Sequence, residues 1–344
     1  MHRRGFLTSG GAAAVAAGAG PGRAGANFAP PEAEIPAASP AGARRLTLSL
    51  PPGEELAGFA ADRLAQRLAV ATGGRFRIER GAPGTPCDLG FGDAQRLSAL
   101  HPGFAFFAGL PAGAGLPSAE FDAWLIIGGG QLLWDELARP FGLKPLVVGH
   151  GGEPVGLWSN VRLEQVTDLA GLPVAADGLA ARVLERLGAR PMAVSPARLR
   201  AALAQGEVAA AHWAGPLPAV AFDLNPLAQC LYQPGLYASA APTTLTVERG
   251  LWDQLAPADQ AVFEACAAQE YRLRLAEAKL YAGVAAGARV PSKWPLRRPL
   301  PAALSDVLAA AGRAVVAELA EHDAACRRIA DSYAAYRDWS GAGA

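Results

Sequence analysis

Hydrophobic residues follow two different periods near the start of the chain. Leucine recurs at every second position from Leu46 to Leu50, which predicts a strand with one buried face. Beyond a turn at Pro51–Gly53, apolar residues recur every four positions from Leu56 to Leu68, and this spacing predicts a helix that ends at Gly73-Gly74. Residues 75–80 alternate once more. The order of strand, helix and strand predicts the beginning of an α/β sheet.

The most informative hydrophobic pattern lies between residues 102 and 145. The aromatic run from Phe104 to Phe107 predicts a buried strand. Apolar residues at helical spacing follow Gly128–Gly130, so we expect a turn leading into an amphipathic helix that ends at Gly142, with a strand from Lys144. A phosphate-binding loop would need a Lys-Ser or Lys-Thr pair after the glycines, and none follows. Close approach of the helix to a neighbour is the favoured explanation of the glycines.

Further strands and helices alternate in the second half of the chain. The predicted elements are a crossing between two lobes at Val147–Trp158, helices at 179–187 and 196–205 with a strand at 191–194 between them, a strand end within Ala211–Ala219, a return strand at 243–247 and a helical segment at 251–277. From Pro301 to Trp339 apolar residues keep helical spacing and predict a C-terminal helix. Packing of that helix on its own chain and its use in a homodimer both remain open.

The first 26 residues resemble an export signal rather than part of the fold. Arg3-Arg4 precedes Phe6-Leu7 and an apolar run from Ala12 to Ala19, and Ala24-Gly25-Ala26 is typical of a cleavage site, which together predict a twin-arginine signal peptide and a periplasmic location. A membrane anchor would need about 20 apolar residues. Residues 27–43, rich in Pro and Ala, are predicted to be a disordered linker.

Charge and cysteine content exclude several classes of function. The chain has 31 basic and 31 acidic side chains, and removal of the signal takes away three arginines and no acids, which leaves a net charge of −3. The sequence shows no basic surface of the kind that would indicate a nucleic-acid partner. Four cysteines, Cys87, Cys230, Cys266 and Cys326, lie too far apart in sequence for a zinc site, and either one disulfide or four free thiols is compatible with them.

Two blocks of the sequence resemble a known family. The run AWLIIGGGQLLWDELARPFGLKP, from Ala123 to Pro145, resembles the periplasmic binding proteins of tripartite ATP-independent periplasmic (TRAP) transporters, in the DctP-like subgroup associated with 2-oxoacids and other monocarboxylates. The run from Ala61 to Glu79 is similar to the first helix and second strand of these proteins. The resemblance extends in matching order to Trp339, although one helical segment of the family is missing after Gly81.

This resemblance implies an α/β, two-lobed periplasmic binding protein of the type II-like class, with hinge-crossing strands and C-terminal helices. Its first lobe would comprise residues 44–148 and 243–285, its second lobe residues 149–242, and its C-terminal helical segment residues 286–340. Because the missing segment borders the cleft in the family, the wall of the first lobe is expected to be thinner. The implied partners are a small organic molecule and the membrane subunits of a TRAP transporter.

The ligand-binding positions of the family are substituted in this chain. The arginine that holds a substrate carboxylate would fall at Ala175, and Asp177 nearby would repel an anion. A glutamine and a basic residue on either side of Trp158 are replaced by Pro154 and Asn160. Two glutamates that help to hold a cation are replaced by His212 and Ala238, neither of which offers a carboxylate oxygen.

These substitutions predict a pocket without a metal or another cofactor, suited to a neutral, more apolar or cationic ligand. Trp158, His212, Trp213 and Tyr237 are the predicted ligand-binding residues, although each of them could instead be a packed core side chain. The predicted function is solute capture for a TRAP-type transporter. A degenerate paralogue acting as a sensor or interaction module is the alternative, while a hydrolase built on Ser159 lacks a G-x-S-x-G sequence, so no enzyme is expected.

Overall fold

The fold consists of two mixed β-sheets with helices packed around them. The computed structural model describes residues 42–50, 55–82, 84–152, 156–212, 227–285 and 296–341. The predicted signal peptide and nearly all of the predicted linker lie outside these residues. None of the described helices combines the length and apolar character needed to cross a membrane.

The first sheet has its strands in the order β2-β1-β3-β10-β4. Its members are β1 (Arg44–Ser49), β2 (Phe76–Arg80), β3 (Leu89–Asp93), β4 (Leu143–His150) and β10 (Pro242–Glu248). The return strand β10 is antiparallel to both of its neighbours, whereas β1, β2 and β3 are parallel. No helix separates β2 from β3 in the described residues between them, which agrees with the short connection seen in the sequence.

The second sheet has the order β11-β9-β5-β8-β6-β7. Its members are β5 (Leu157–Ser159), β6 (Pro173–Ala175), β7 (Arg190–Met192), β8 (Ala210–His212), β9 (Cys230–Gln233) and β11 (Leu296–Pro299). The chain passes from the first sheet to the second between His150 and Leu157, and returns between Gln233 and Pro242. We call the elements around the two sheets the first and second lobes.

The helices cover the sheets and join the lobes. They are α1 (Glu55–Ala71), α2 (Ser118–Ile126), α3 (Gly130–Ala138), α4 (Gly178–Arg186), α5 (Pro196–Gln205), α6 (Arg249–Gln254), α7 (Pro257–Ala285), α8 (Ala302–Ala320) and α9 (Ala324–Ser340). Helices α1, α6 and α7 pack on the first sheet, where the alternating leucines Leu46 and Leu48 are buried against Leu64 and Leu68 of α1. The 2-residue and 3.6-residue periods of the sequence thus meet in one core.

The aromatic run Phe104–Phe107 is not a strand, and that prediction is wrong. Pro102–Phe107 forms a 3-10 helix, in which the Phe104 amide donates to the His101 carbonyl and the His101 side chain accepts a hydrogen bond from the Gly103 amide. Both Phe106 and Phe107 are fully buried, since this turn is surrounded by protein on all sides. Burial was predicted correctly, but an apolar run alone does not distinguish a buried strand from a short helix.

The glycine run before α3 permits close packing, as the sequence indicated. A Cβ atom added to Gly130 would lie 2.8 Å from Cδ2 of Trp124, and one added to Gly128 would lie 2.9 Å from Cδ2 of Tyr336. Trp124 is completely buried and stacks on Phe107, with ring centroids 5.5 Å apart. Larger residues at these glycines would therefore force the helices apart.

The C-terminal segment forms two helices, as the resemblance implied, whereas the spacing of apolar residues alone predicted a single helix. Helix α8 ends at Ala320, and Asp323 starts α9 by accepting a hydrogen bond from the Cys326 amide. Both helices pack on their own chain: the Tyr333 hydroxyl accepts a hydrogen bond from the Leu116 amide at 2.7 Å, and its ring lies 4.8 Å from that of Trp124. The four cysteines are free thiols.

Candidate functional site

Strand ends from the two sheets face each other across the region between the lobes, which we call the cleft. β3 and β4 of the first sheet end there at Asp93 and His150. On the second sheet β6 and β8 end at Ala175 and His212, and β9 ends at Gln233 before the return crossing. In open α/β sheets, ligands bind at such strand ends, so the topology alone makes the cleft the candidate site.

His212 and Tyr237 are brought together at the cleft. Their rings are stacked, with centroids 4.9 Å apart and planes inclined by 24°. His212 is the last residue of β8, and Tyr237 lies in the return crossing, where it forms a β-bridge with Pro111 of the first lobe. A neighbouring hydrogen bond, donated by the Ala112 amide to the Leu236 carbonyl at 2.8 Å, fixes the crossing against the first lobe.

The His212 imidazole has a polar atom without a partner. Its Nδ1 atom is buried and makes no hydrogen bond within the described part of the chain. Burial lowers the pKa of His212 to about 4, because water is excluded from the charged form. The ring is consequently neutral at neutral pH and can offer a hydrogen bond to a molecule in the cleft.

Tyr237 connects the return crossing to the start of α4. Its hydroxyl oxygen accepts a hydrogen bond from the Ala180 amide at 3.0 Å. Burial is the main cause of a raised pKa for Tyr237, and the negative charges of Asp177 and Asp93 raise it further. The hydroxyl thus stays protonated, and the two carboxylates that act on it come from opposite lobes.

The lobes touch beside this tyrosine. Gln95 of the first lobe lies directly against Gly178 of the second, so that any Cβ at Gly178 would collide with the Gln95 amide. Gly178 also has a φ of +54°, a conformation that favours glycine. Asp177, which precedes it, is exposed, and desolvation by its protein neighbours raises the pKa of its carboxyl.

Trp158 does not lie on the same side of the second sheet as His212. In the register of β5 and β8, Leu157 is opposite His212 and Trp158 is opposite Ala211, and adjacent residues of a strand point to opposite faces. Trp158 is fully buried against Ala228 and Leu231, yet its Nε1 atom has no hydrogen-bond partner among the described residues. Trp213 lies outside the described residues.

His150 is a polar residue of the cleft edge that the sequence pattern did not single out as a ligand-binding residue. It is 1% exposed, its Nδ1 accepts a hydrogen bond from the Gly152 amide at 3.0 Å, and its Nε2 has no partner in the described structure. Its ring lies between those of Phe121 and Tyr271, at 6.0 and 6.4 Å. Burial lowers its pKa to about 4. The sequence signal that could have identified His150 was its position at the end of a strand that leads into a crossing between the lobes.

A group of possible metal ligands lies outside the cleft, where the C-terminal helices meet. The ligand atoms of His101, His322 and Asp323 lie within 4.8 Å of one another. However, Nδ1 of His101 accepts a hydrogen bond from the Gly103 amide, so the proton of the neutral ring belongs on Nε2, which faces the Asp323 carboxylate at 2.8 Å. A protonated Nε2 cannot ligate a metal. The group is a hydrogen-bonded contact that joins the α8–α9 turn to the first lobe.

Comparison with known proteins shows which family the central part of the chain resembles. The model of the bacterial extracellular solute-binding proteins of family 7, DctP, matches residues 123–281, which run from α2 through both sheets into α7. Over this stretch the chain is similar to the DctP family. Members of this family and the similar structures are solute-binding proteins and not enzymes, and the described architecture is the two-lobed fold of TRAP periplasmic binding proteins.

Individual relatives agree with this assignment. A monocarboxylate 2-oxoacid-binding periplasmic protein of Nostoc sp. (strain PCC 7120) is 28% identical over 235 residues, which cover 64% of this chain and 64% of that protein. A TRAP solute-binding protein of Colwellia psychrerythraea, solved with calcium and pyruvate, has a TM-score of 0.80 at 20% identity and covers 87% of this chain and 96% of its own. One from Bordetella bronchiseptica, a dimer with calcium and picolinate in one site, has a TM-score of 0.76 at 24% identity, with coverages of 86% and 92%.

The described side chains at the substituted positions supply neither a positive charge nor a carboxylate oxygen. Ala175 is buried with Leu199 and Leu203 of α5 and supplies no charge. The Ala238 methyl group lies 2.7 Å from where a Cβ on Gly115 would be, so a longer side chain there would meet the turn of the first lobe. His212 offers nitrogen rather than the oxygen ligands that calcium and sodium prefer.

Proposed function

We propose that this DctP-family protein is the exported solute-binding component of a TRAP-type transporter, which captures a small organic molecule between its two lobes in the periplasm. The observation that carries the proposal is the arrangement of facing strand ends, joined by crossings, in a chain of this family. Closure of the lobes around the molecule would present one surface to the membrane subunits. The arginine pair at the N-terminus supports export by the twin-arginine route.

The proposed pocket contains His212 and Tyr237, with Trp158 and Trp213 as further contributors, and no metal. The stacked rings and the partnerless Nδ1 atom support the first two residues. Trp158 would contribute from the opposite face of the second sheet, through its buried indole N–H. The 2-oxoacids and calcium of the similar proteins are not expected here, because a charge-assisted bond to a carboxylate contributes about 1.5–3 kcal/mol and Ala175 provides none.

The same proposal includes a homodimer formed through the C-terminal helices. Although α9 packs on its own chain, Trp339 near its end is 82% exposed, and Ile126 and Ile127 at the end of α2 are 73% and 84% exposed. Tyr336 lies near Gly128, and its ring is tilted against that of Trp339 with centroids 5.9 Å apart. A homodimer would cover this surface, and light scattering of the purified chain at several concentrations measures it directly.

A thermal-shift and small-angle scattering screen tests the central proposal. Carboxylates, polyols, aromatics and amines are added with and without calcium. A ligand at 100 times its dissociation constant should stabilise the folded chain by about 2.7 kcal/mol, and capture predicts a smaller radius of gyration in the same sample. Tight binding of pyruvate with calcium would contradict the loss of the oxoacid site. Absence of a thermal shift with every class of compound would favour a degenerate sensor or interaction module. Hydrolysis of an ester panel would favour an enzyme.

A further inference from the structure

Tyr237 joins the two lobes, because each lobe holds a different part of it. Its backbone lies in the return crossing and forms a β-bridge with Pro111 of the first lobe. Beside this bridge the Ala112 amide donates to the Leu236 carbonyl at 2.8 Å. Its ring, by contrast, stacks on His212 at the end of β8 in the second lobe. Relative motion of the lobes must therefore change the contacts of this side chain.

The Tyr237 hydroxyl acts as a cap for helix α4 of the second lobe. In this helix, which starts at Gly178, the amides of Leu179 and Ala180 are the ones that a capping side chain accepts. The Ala180 amide donates to the Tyr237 hydroxyl at 3.0 Å, and the Leu179 amide also acts on this hydroxyl. The cap comes from a residue 57 positions later in the chain, so it depends on the tertiary fold.

Asp177 is in the position of a local cap for the same turn. It directly precedes α4 with an extended backbone (φ −135°, ψ −179°), which is the usual conformation of a capping residue, and Asp is among the best capping residues. Its side chain nevertheless makes no capping hydrogen bond to α4. Because the amides that it would accept already interact with Tyr237, the two side chains are alternative acceptors for one turn.

The local acceptor becomes necessary when the cleft opens. Two groups held by the first lobe touch the start of α4 in this structure: the Tyr237 hydroxyl, and the Gln95 amide, which lies against Gly178. Separation of the lobes would withdraw both groups. A helix amide that loses its acceptor destabilises the start of the helix, and Asp177 is the side chain placed to accept it.

We propose that the first turn of α4 exchanges its cap as the cleft opens and closes, with Tyr237 as the acceptor when the lobes are together and Asp177 when they are apart. The inference rests on the proposed function, because capture of a solute requires this motion. Both states then satisfy the Ala180 amide, so opening costs no helix cap. Tyr237 is a positioning residue in this scheme, and Asp177 sets the balance between the open and the closed state.

Hydrogen exchange at the start of α4 tests whether the two caps substitute for each other. Tyr237→Phe keeps the ring and removes one acceptor, whereas Asp177→Ala removes the other. Peptides that cover the first turn of α4 are followed by mass spectrometry. Each single variant keeps one cap, so its first-turn amides should exchange within about twofold of the unmodified chain, while the double variant should exchange about fivefold faster. A double variant that exchanges like either single variant would overturn the proposal.

The distance between the lobes tests whether the exchange is coupled to opening. Spin labels are attached at Leu100→Cys in the first lobe and Gln205→Cys in the second, both at exposed positions, in a Cys87→Ser chain whose three other cysteines are buried. Double electron–electron resonance then measures the ratio of open to closed molecules without any added compound. Asp177→Ala, which lacks the open-state cap, should lower this ratio about fivefold, whereas Asp177→Asn, which can still cap, should leave it unchanged. An unchanged ratio in Asp177→Ala would overturn the proposal.

A second substitution separates capping from other effects of Asp177. Tyr237→Phe, added to Asp177→Ala, removes the closed-state cap as well and should restore the original ratio. Tyr232→Phe, added instead, also deletes a hydroxyl that accepts a backbone amide, from Leu163 at 2.7 Å, but both of these residues lie in the second lobe. This control should not restore the ratio, and equal ratios in the two double variants would contradict the proposal. Circular dichroism melts show whether every variant folds.

Added compounds distinguish failure of this inference from failure of the proposed function. Pyruvate, glycerol, benzyl alcohol and 2-amino-1-propanol are each tested with and without calcium in the labelled chain. A shorter label distance with one of them, together with no effect of Asp177→Ala, would overturn the cap exchange and leave solute capture intact. One fixed distance in every variant and with every compound would overturn both.

Discussion

Acid should destabilise this protein through His150. The imidazole is enclosed at the end of β4, where it contacts the rings of Phe121 and Tyr271. Asp122 and Arg274 are the charged groups nearby: the first carries a pKa raised by desolvation, and the aliphatic part of the second packs on Gly149. Neither neutralises a positive charge on the buried ring, so its protonation opposes the folded state.

The magnitude follows from the two pKa values. An unfolded histidine titrates near 6.5, whereas burial lowers the pKa of His150 to about 4. Between these values the unfolded chain holds a proton that the folded chain does not, so the free energy of unfolding falls as the pH drops through 6.5 and levels off below about 4. At pH 5 the loss from this residue is about 2 kcal/mol.

Urea unfolding at pH 7 and pH 5 measures this loss, with His150→Asn as the test variant. Asn can still accept the Gly152 amide but does not titrate. Because burial lowers the pKa of His212 to about 4 as well, the unmodified chain should lose about twice as much stability as the variant through these two rings. His322→Asn, at an exposed position, is the control. An unchanged pH dependence in His150→Asn would refute the reasoning.

Two further predictions concern the packing of the first lobe. Glu270 is fully buried and accepts hydrogen bonds from Arg63 at 2.6 Å and Arg67 at 2.9 Å, so Glu270→Ala should lower the free energy of unfolding in urea by about 3 kcal/mol. The control Glu79→Ala breaks an exposed pair with Arg45 and should change the stability little. Equal losses in the two variants would contradict the expectation. Gly130→Ala should lower the free energy of unfolding by about 1–3 kcal/mol, because the added methyl group would meet Trp124. Leu132→Ala, on the exposed face of α3, is the control and should leave the stability nearly unchanged. An unchanged stability in Gly130→Ala would show that the helices can move apart.

Much of the fold could be predicted because local periodicity and tertiary burial agree. The strand beginning at Arg44, helix α1 and helix α5 appear where the spacing of apolar residues placed them. The error at Phe104–Phe107 arose where that agreement fails, since a turn buried on all sides has no polar face to reveal its period. The break between α8 and α9 was missed because apolar residues continue at helical spacing through the Asp323 cap.

The candidate site was less accessible to sequence reasoning. Spacing placed His212 at a strand end, but its stack with Tyr237 depends on a crossing 25 residues later that only the tertiary fold brings back. Sheet register separated Trp158 from His212, and a register shift of a single residue would have reversed that result. The position of Trp158 and the unpartnered His150 nitrogen depend on pairings distant in sequence, which composition cannot supply.

Helices α8 and α9 determine when the interior of the protein can close. Helices α8 and α9 contribute Leu304, Leu308, Val315, Leu319, Ile329 and Tyr333 to the same apolar cluster that contains Phe107 of the first lobe and Val183 of the second. The ribosome synthesises these side chains after both sheets, so a growing chain displays apolar surface from both lobes until α8 and α9 have emerged. The lobes therefore reach their final packing only once α8 and α9 are present, and a chain that lacked these helices would expose to chaperones and proteases the apolar surface that they cover.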